Sequence, residues 1–392
     1  MKCTGTDIAT GLPVEVSFKN LIDSVEPLLS PAEECVFLSP GWIDLQVNGF
    51  AGVDYNSPSS SHEEIARSIR AIFRTGVTRF FPTVITGSPG NTIGALRNLA
   101  AAKETIENGS AMEGFHLEGP YISAVDGPRG AHPARWVRPP DLEEFRRFQD
   151  AAQGNIRLIT LAPEWDEAPQ FIESVVRQGV VVSLGHTGAD PNQIIAAVDA
   201  GATLSTHLGN GAHAVLPRHP NYIWEQLADD RLAASFIVDG IHLAKSFLKA
   251  ALRAKGIERS ILITDAVMPA ACAPGRYKLG EVDVELHSDG SVRLWGGTRL
   301  AGSALTMCKA IEKAMELAGV GLRDAITLAA RNPARIGRIA SRQRGLNTGE
   351  RADLVRFRYD EAANEIEVLQ TYLNGWLVYS SAESVLPAAN GR

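Results

Sequence analysis

Short apolar segments, each followed by a segment with helical periodicity, recur through most of the chain. They are apolar at nearly every position and do not alternate, which is typical of strands buried on both faces of a parallel sheet. The eight apolar segments are Ile43–Val47, Val77–Val84, Glu113–Leu117, Ile156–Leu161, Val180–Leu184, Ala202–Thr206, Leu232–Val238 and Ser260–Thr264. The pattern therefore predicts eight parallel strands.

The segments between these strands have the periodicity and the capping residues of helices. Ser61 followed by Glu63 and Glu64, for example, is typical of a helix start with an acidic first turn. The predicted helices include Ser61–Thr75, Asn91–Asn108, Asp141–Gln153, Glu167–Gln178, Pro191–Ala200, Lys245–Lys255 and Ser303–Leu317. The last helix follows a predicted hairpin insertion in which Ser288-Asp289-Gly290 supplies the turn.

Strands and helices alternate eight times, which is the count that a (β/α)8 TIM-like barrel needs. A doubly wound sheet is the alternative if one of the segments is not a strand. The chain ends differ from the centre: residues 1–40 contain no clear helix, and Ala352–Phe357 and Glu365–Tyr379 alternate like antiparallel strands. We therefore predict a barrel domain at 41–344 and a small β-sandwich domain built from 1–40 and 345–392.

Composition limits the class of protein. The formal net charge of −7 is opposite to that of a nucleic-acid-binding protein. No apolar stretch approaches the roughly 20 residues of a membrane span, and the first twenty residues lack a signal-peptide core. The four cysteines are far apart and form no C-x-x-C pair. We expect a cytoplasmic enzyme that binds neither nucleic acid nor membrane.

Ionisable side chains interrupt the chain where the predicted strands end. Glu118, His186, His207 and Asp265 each follow an apolar run, and His242 lies just beyond strand seven. The C-terminal ends of barrel strands converge on one face, so we expect these side chains to meet there. One carboxylate and two imidazoles make a three-ligand catalytic zinc site with an open position for water. Asp265 would then take a proton from that water, or serve as a fourth ligand.

Several motifs, in this order, resemble those of the N-acetylglucosamine-6-phosphate deacetylases of the amidohydrolase superfamily. The resemblance extends from about Pro40 to Phe357, and its motifs are Pro40-Gly41-Trp42-Ile43-Asp44, His116-Leu117-Glu118-Gly119-Pro120, Gly130-Ala131-His132, Gly185-His186-Thr187, Thr206-His207-Leu208, Asp239-Gly240-Ile241-His242, Thr264-Asp265-Ala266, Leu300-Ala301-Gly302-Ser303, Asn332-Pro333-Ala334-Arg335 and Ala352-Asp353-Leu354-Val355. Deacetylation of an amino sugar phosphate, a small-molecule substrate, is the activity that this resemblance implies.

The resemblance also implies a role for each motif residue. Asp265 would act as general base and then as general acid, and His132 would polarise the acetamide carbonyl. The implied metal ligands are Glu118, His186 and His207. The residues implied to bind the sugar and its phosphate are Asn210, Gly211 (through backbone amides), Arg218 and His242. Members of the family are usually homodimers in which the partner subunit supplies part of the phosphate site.

The first strand bears on the number of metals. Many amidohydrolases carry His-x-His here and bind two metals, whereas this chain has Gln46-Val47-Asn48. Neutral amides are poor replacements for imidazole ligands, so we expect one divalent metal per subunit. Zinc is the expected ion, and iron, cobalt or manganese would also accept these ligands.

The segment after strand six departs from the family pattern. Gly209 stands where most members have an aromatic residue, while Arg218 stays in register, and Tyr222 or Trp224 could restore the missing wall. Substrate alternatives therefore remain open: the galactosamine epimer, or an unphosphorylated sugar. Another amidohydrolase chemistry, such as cyclic-amide or dipeptide hydrolysis, is disfavoured because Leu161-Ala162-Pro163-Glu164 offers no bridging lysine. A non-catalytic binding protein would not need Asp265.

Overall fold

The computed structural model describes residues 1–30 and 35–382. The strands of this part are β1 (Lys2–Asp7), β2 (Pro13–Phe18), β3 (Ile22–Pro27), β4 (Val36–Pro40), β5 (Trp42–Val47), β6 (Gly49–Phe50), β7 (Val53–Asp54), β8 (Val77–Ile85), β9 (Phe115–Glu118), β10 (Ile156–Leu161), β11 (Val181–Leu184), β12 (Leu204–Ser205), β13 (Ala233–Ile237), β14 (Ser260–Ile263), β15 (Gly275–Leu279), β16 (Val282–Leu286), β17 (Ser291–Leu294), β18 (Leu300–Ser303), β19 (Leu354–Asp360), β20 (Glu365–Leu373) and β21 (Trp376–Ser380).

The helices lie mainly between these strands. They are α1 (His62–Phe73), α2 (Pro89–Thr105), α3 (Leu142–Ala151), α4 (Ala168–Arg177), α5 (Pro191–Asp199), α6 (Tyr222–Ala228), α7 (Lys245–Lys255), α8 (Met307–Ala318), α9 (Leu322–Ala329) and α10 (Arg331–Ile336). Within the described ranges, no helix has the length and apolar character that crossing a membrane requires.

Eight parallel strands form the central barrel, in the order β5, β8, β9, β10, β11, β12, β13 and β14. The first and last strands meet through backbone hydrogen bonds from Asp265 to Gln46 (3.0 Å) and from Asn48 to Ala266 (2.7 Å). Helices α1 to α8 follow the eight strands one by one, so the predicted (β/α)8 fold is confirmed and the doubly wound sheet is not found.

The barrel elements form because their apolar positions match their surroundings. All nine residues of β8 are buried, as expected for a strand covered on both faces. Helix α1 buries Ile65, Ile69, Ile72 and Phe73, which share one face at helical spacing. Its N-cap Ser61 forms a capping box with Glu64, which satisfies backbone donors at the helix start.

Both chain ends contribute to a seven-stranded sheet in the order β21, β20, β19, β4, β1, β2 and β3. The sheet curls over a small core, because the rings of Phe18 on β2 and Tyr372 on β20 lie 5.3 Å apart although three strands separate β2 from β20. The predicted β-domain from both ends is thus present. Of its predicted bounds, residues 31–34 and 383–392 lie outside the described residues.

The predicted hairpin with its Ser288-Asp289-Gly290 turn is present between β16 and β17, and it is part of a larger four-stranded antiparallel sheet, β15 to β18. One predicted bound is wrong. Ser303 does not begin the following helix, because it ends β18 and exchanges backbone hydrogen bonds with Asp265 and Val267 (2.9 and 3.0 Å). The helix α8 therefore begins at Met307. This arrangement ties β18 to the end of barrel strand β14.

Candidate active site

The C-terminal ends of the barrel strands place the predicted ionisable residues together. Glu118 is the last residue of β9, while His186, His207 and Asp265 each lie two residues beyond β11, β12 and β14. His132 comes from the long loop after β9. All five side chains line one cavity of about 520 Å³. This is the face of a (β/α)8 barrel on which active sites are built.

Glu118, His186 and His207 form a compact cluster at the base of this cavity. Oε1 of Glu118 lies 3.2 Å from Nε2 of His186 and 3.0 Å from Nε2 of His207. All three residues are buried, and their potential ligand atoms lie within 4.8 Å of one another. Such a set of one carboxylate and two imidazoles matches the ligands of a catalytic metal site with an open position.

The hydrogen bonds of His186 test whether a cation fits. Its Nδ1 lies 2.9 Å from the carbonyl oxygen of Pro128, so Nδ1 carries the proton and donates it. In the neutral ring, Nε2 then presents a lone pair toward the Glu118 carboxylate, an arrangement that a positive charge between them would satisfy. The donor set therefore fits a divalent metal.

Asp265 lies beside this cluster and is held by two amides of the first strand. Its Oδ1 accepts hydrogen bonds from Nδ2 of Asn48 (2.6 Å) and Nε2 of Gln46 (3.1 Å). The same Gln46 nitrogen lies 2.9 Å from Oε1 of Glu118. Burial and, secondly, the negative charge of Glu118 raise the pKa of Asp265 to about 7. A carboxylate with such a pKa can both accept and return a proton near neutral pH.

Three of these residues have an unusual backbone conformation. The φ angles of His186, His207 and Asp265 are +51°, +29° and +50°, in the region that side chains other than glycine rarely adopt. Hydrogen bonds hold the first two, from the backbone amide of His207 to Oγ of Ser235 (2.7 Å) and from Ser123 to the carbonyl of His186 (2.9 Å). Strain of this kind concentrates at functional sites. The sequence gives no signal for it.

His132 closes the cavity over the cluster. Its Nε2 lies 3.3 Å from Nε2 of His186, and the two rings meet edge to face. Burial lowers the pKa of His132 to about 3. A neutral imidazole at this place can donate one hydrogen bond to a substrate atom. The backbone of Gly211 also packs directly against the ring of His186, because a Cβ at position 211 would lie only 2.6 Å from Nδ1 of His186.

Three of the four predicted sugar-binding residues line the cavity, and the fourth does not. Asn210, Gly211 and His242 line the cavity, and Nδ1 of His242 is fixed 2.6 Å from Oδ2 of Asp239. Arg218 is exposed on the loop after β12 and does not line the cavity. Arg299, which the sequence analysis missed, does line it and donates hydrogen bonds to Asp126 and to the carbonyl of Gly130. Its position directly before Leu300-Ala301-Gly302-Ser303 was the available signal.

In the loop that departs from the family pattern, neither Tyr222 nor Trp224 takes the place of the aromatic residue that is missing at position 209. Tyr222 is buried, and its hydroxyl lies 2.8 Å from the backbone nitrogen of His213. Trp224 is 51% exposed. Neither side chain lines the cavity, so neither replaces the aromatic wall. Gly209 instead leaves room for Phe247, whose Cε1 would lie 2.6 Å from a Cβ at this position.

The chain is similar in sequence to known amidohydrolases over most of its length. A family model described as the amidohydrolase family matches residues 37–378. An N-acetylglucosamine-6-phosphate deacetylase of Bacillus subtilis is 34% identical over 350 residues, which cover 88% of this chain and 86% of the relative. An N-acetylgalactosamine-6-phosphate deacetylase of Escherichia coli O157:H7 is 33% identical over 337 residues, which cover 86% and 88%.

Two solved structures are similar over nearly their whole length. A mutant N-acetyl-D-glucosamine-6-phosphate deacetylase from Mycobacterium smegmatis, in complex with N-acetyl-D-glucosamine-6-phosphate, superposes with a TM-score of 0.87 at 30% identity, covering 97% of this chain and 99% of that one. An N-acetylglucosamine-6-phosphate deacetylase from Thermotoga maritima superposes with a TM-score of 0.84 at 26% identity, covering 97% and 100%.

Proposed function

Because the chain belongs to the N-acetylglucosamine-6-phosphate deacetylases of the amidohydrolase family, we propose that it hydrolyses N-acetylglucosamine 6-phosphate to glucosamine 6-phosphate and acetate. The observation that carries this proposal is the position of Asp265 beside the Glu118, His186 and His207 cluster at the base of one cavity. A proton-transferring carboxylate next to a metal site is what hydrolysis of an amide requires and what simple binding does not.

One divalent metal is the proposed cofactor, held by Glu118, His186 and His207. A metal at this site supplies Lewis-acid polarisation of the amide carbonyl and an acidified water. We propose zinc, which suits one carboxylate and two imidazoles, although iron, cobalt and manganese also accept these ligands. The first-strand amides support a single metal, because Gln46 already donates its hydrogen bonds to Glu118 and Asp265 at distances of 2.9 and 3.1 Å.

Asp265 is the proposed proton carrier. It would take a proton from the attacking water and return it to the nitrogen of the leaving amine. Two amide donors, from Gln46 and Asn48, fix one carboxylate oxygen and leave the other free for this transfer. Each such proton transfer contributes about 10²–10⁴-fold to rate.

His132 is proposed to donate a hydrogen bond to the acetyl oxygen as negative charge develops there. Its lowered pKa keeps the ring neutral at pH 7, so it acts as a dipolar donor rather than as a cation. Its burial beside His186 excludes water from this donor, and a donor aimed at a developing oxyanion is worth most in a dry site.

The sugar is proposed to contact Asn210, the backbone at Gly211, and His242, which line the cavity. In a homodimer, Arg218 is proposed to reach the active site of the partner subunit and bind the phosphate of the sugar that is bound there. Two exposed apolar side chains support such an interface, Val215 on the same loop (86% exposed) and Trp224 in the first turn of α6. A cytoplasmic location is also part of the proposal, supported by four unpaired cysteines.

A second substrate has specific support. N-Acetylgalactosamine 6-phosphate is the substrate in the names of two relatives, from Escherichia coli and from a Shewanella strain, that are 33% and 34% identical to this chain. The glycine at position 209 and the packing of Phe247 against it alter the loop beside the cavity. The galactosamine epimer is therefore the alternative to compare directly.

Acetate release from four sugars tests the proposal. Metal-loaded protein is incubated with N-acetylglucosamine and N-acetylgalactosamine, each with and without the 6-phosphate. The proposal predicts the highest kcat/KM for N-acetylglucosamine 6-phosphate. A higher kcat/KM for the galactosamine 6-phosphate selects the second candidate, and turnover of no sugar by metal-loaded protein contradicts both.

A further inference from the structure

A second cavity, of about 180 Å³, lies at the opposite end of the barrel from the active site. Glu113, two residues before β9, and Arg157, the second residue of β10, line it, whereas Glu118 of the active site ends β9. Arg338 after α10 and Arg351 before β19 complete its charged lining. The cavity therefore lies at the junction between the barrel and the β-domain.

Positive charge is in excess around this cavity, although the whole chain carries −7. The Glu113 carboxylate is shared between Arg79 (3.0 Å) and Arg351 (2.6 Å), and Nζ of Lys103 lies 3.3 Å from the Glu113 carbonyl. The fully buried carboxylate of Asp353 is likewise shared, between Arg79 and Arg342. The cavity itself is lined by three arginines, Arg157, Arg338 and Arg351, and by the single carboxylate of Glu113.

Of the three arginines that line the cavity, only Arg351 pairs with Glu113, and the exposed side chains of Arg157 and Arg338 pair with neither Glu113 nor Asp353. Among residues 1–30 and 35–382, neither guanidinium has a hydrogen-bond or ion-pair partner. The stem of Arg157 packs over Gly114, where a Cβ would lie 2.5 Å from its Cγ, so the glycine lets this side chain lie along the cavity. An arginine without a partner at a concave, positively charged surface presents its planar fork to an anion.

The backbone conformation of Arg338 also indicates that this side chain has a role in the cavity. Helix α10 ends in a Schellman motif, with hydrogen bonds from Ile339 to Ala334 (2.8 Å) and from Arg338 to Arg335 (3.2 Å). Arg338 occupies the left-handed position of this motif with a φ of +52°. Glycine is the usual residue there, because a side chain in this conformation is disfavoured. An arginine at this position costs stability, and the structure gives that side chain a place in the cavity lining.

We propose that this cavity binds a phosphoryl dianion, contacted by the guanidinium groups of Arg157, Arg338 and Arg351. Arginine forks match phosphate oxygens in geometry and charge. The ion can be inorganic phosphate or the phosphoryl group of a sugar phosphate ester. Since Arg157 belongs to the barrel and Arg351 leads into the β-domain, the bound anion links the two and stabilises the folded chain. The site is independent of the deacetylase chemistry at the other end of the barrel.

Isothermal titration of the full-length, metal-loaded protein with inorganic phosphate tests this proposal, at constant ionic strength set with chloride. The variants are Arg338→Gly and Arg157→Gln, with Arg146→Gln, an exposed arginine on α3, as the control for loss of one charge. Removing one charged hydrogen-bonding group weakens binding about tenfold or more. We expect that loss in both cavity variants and an unchanged dissociation constant in the control.

Arg338→Gly separates binding from folding. Glycine relieves the left-handed strain, so this variant keeps or raises the wild-type melting temperature while losing phosphate binding. Its acetate release in phosphate-free buffer stays at the wild-type rate. A parallel titration with glucose 6-phosphate identifies the source, since tighter binding of the ester selects the sugar phosphate and equal binding selects the phosphoryl group alone. The proposal is overturned if wild type and both cavity variants titrate alike, or if chloride alone reproduces the response.

Discussion

Nε2 of Gln46 lies 2.9 Å from Oε1 of Glu118, so a neutral amide of the first barrel strand donates a hydrogen bond to a carboxylate of the metal-binding cluster. Because the same nitrogen also lies 3.1 Å from Asp265, one side chain separates two buried carboxylates. Without such a donor, the like charges would have to be balanced by a second cation or by protonation. This relationship explains how a site without a first-strand histidine pair can be built for one metal.

Gln46→Glu should be strongly destabilising. The substitution keeps the shape but removes both donated hydrogen bonds and places a third carboxyl group in a buried cluster. We expect the free energy of unfolding of the metal-free protein to fall by about 3 kcal/mol, measured by chemical denaturation. Gln170→Glu, on the exposed side of α4, adds the same charge and should change stability by less than about 0.5 kcal/mol. Equal effects of the two changes would contradict the role of the Gln46 amide.

His186→Gln should release the metal without unfolding the barrel. The imidazole is oriented by its 2.9 Å hydrogen bond to Pro128, and glutamine supplies neither that orientation nor a comparable ligand. We expect metal affinity to fall by at least about 100-fold, measured as bound metal per chain after dialysis against a chelator. His62→Gln, at the start of α1, serves as the control and should retain the wild-type metal content. Full metal retention by the His186 variant would exclude it as a ligand.

Asp44 should make stability depend on pH. It is buried on β5 and accepts hydrogen bonds from the backbone and the hydroxyl of Thr264, and burial raises its pKa to about 7. Between about pH 4 and pH 7 the folded chain keeps a proton that the unfolded chain has lost. The contribution of Asp44 to stability is therefore complete below about pH 4 and is lost as pH rises through about 7, with a slope of up to about 1.4 kcal/mol per pH unit.

Asp44→Asn removes this titration. Relative to wild type, the variant should become progressively more stable as pH rises from 5 to 8 in denaturation experiments. Asp150→Asn, an exposed carboxylate on α3, should track the wild-type profile. Parallel profiles of wild type and Asp44→Asn across this range would show that Asp44 does not titrate there.

Gly209→Ala tests the close packing of the loop after β12. Gly209 has a φ of +99°, and an added Cβ would lie 2.6 Å from Cε1 of Phe247 and 2.9 Å from Cδ2 of Leu243. We expect a loss of about 3 kcal/mol from strain and crowding together. Gly179→Ala is the matched control, because its φ is +86° and nothing lies within 4 Å of its Cβ position. The control should lose only about 1 kcal/mol, and an equal loss at both positions would remove crowding as the reason for glycine at 209.

The barrel could be predicted from sequence because its strands are buried on both faces. Strand β10 was predicted with its observed bounds, and the other seven strands differ by only a few residues at their ends. The candidate metal ligands followed from the same pattern, since Glu118, His186 and His207 interrupt apolar runs at the strand ends. Periodicity thus located both the framework and the polar residues that it carries.

Other features depend on tertiary contacts that periodicity does not encode. The left-handed backbone at His207 is held by Ser235 from the neighbouring strand, a partner that no local pattern indicates. Helix α6 has only seven residues, and its N-cap Asn221 lies in a proline-rich loop. The sheet of β15 to β18 is partly exposed and its strands have four or five residues, so their alternation was too short to count correctly. Arg299 was missed because it lies in the insertion, directly before β18, and not at the C-terminal end of a barrel strand.

Metal titration of acetate release tests the central claim most directly. Metal-free protein receives increasing equivalents of zinc, and acetate released from N-acetylglucosamine 6-phosphate is measured at each point, for wild type and for Asp265→Asn. We predict that wild-type turnover rises from zero and saturates at one equivalent per chain. Asp265→Asn should bind the same single equivalent and turn over at least about 100-fold more slowly. Turnover by metal-free protein, or an Asp265→Asn variant as active as wild type, would contradict the account.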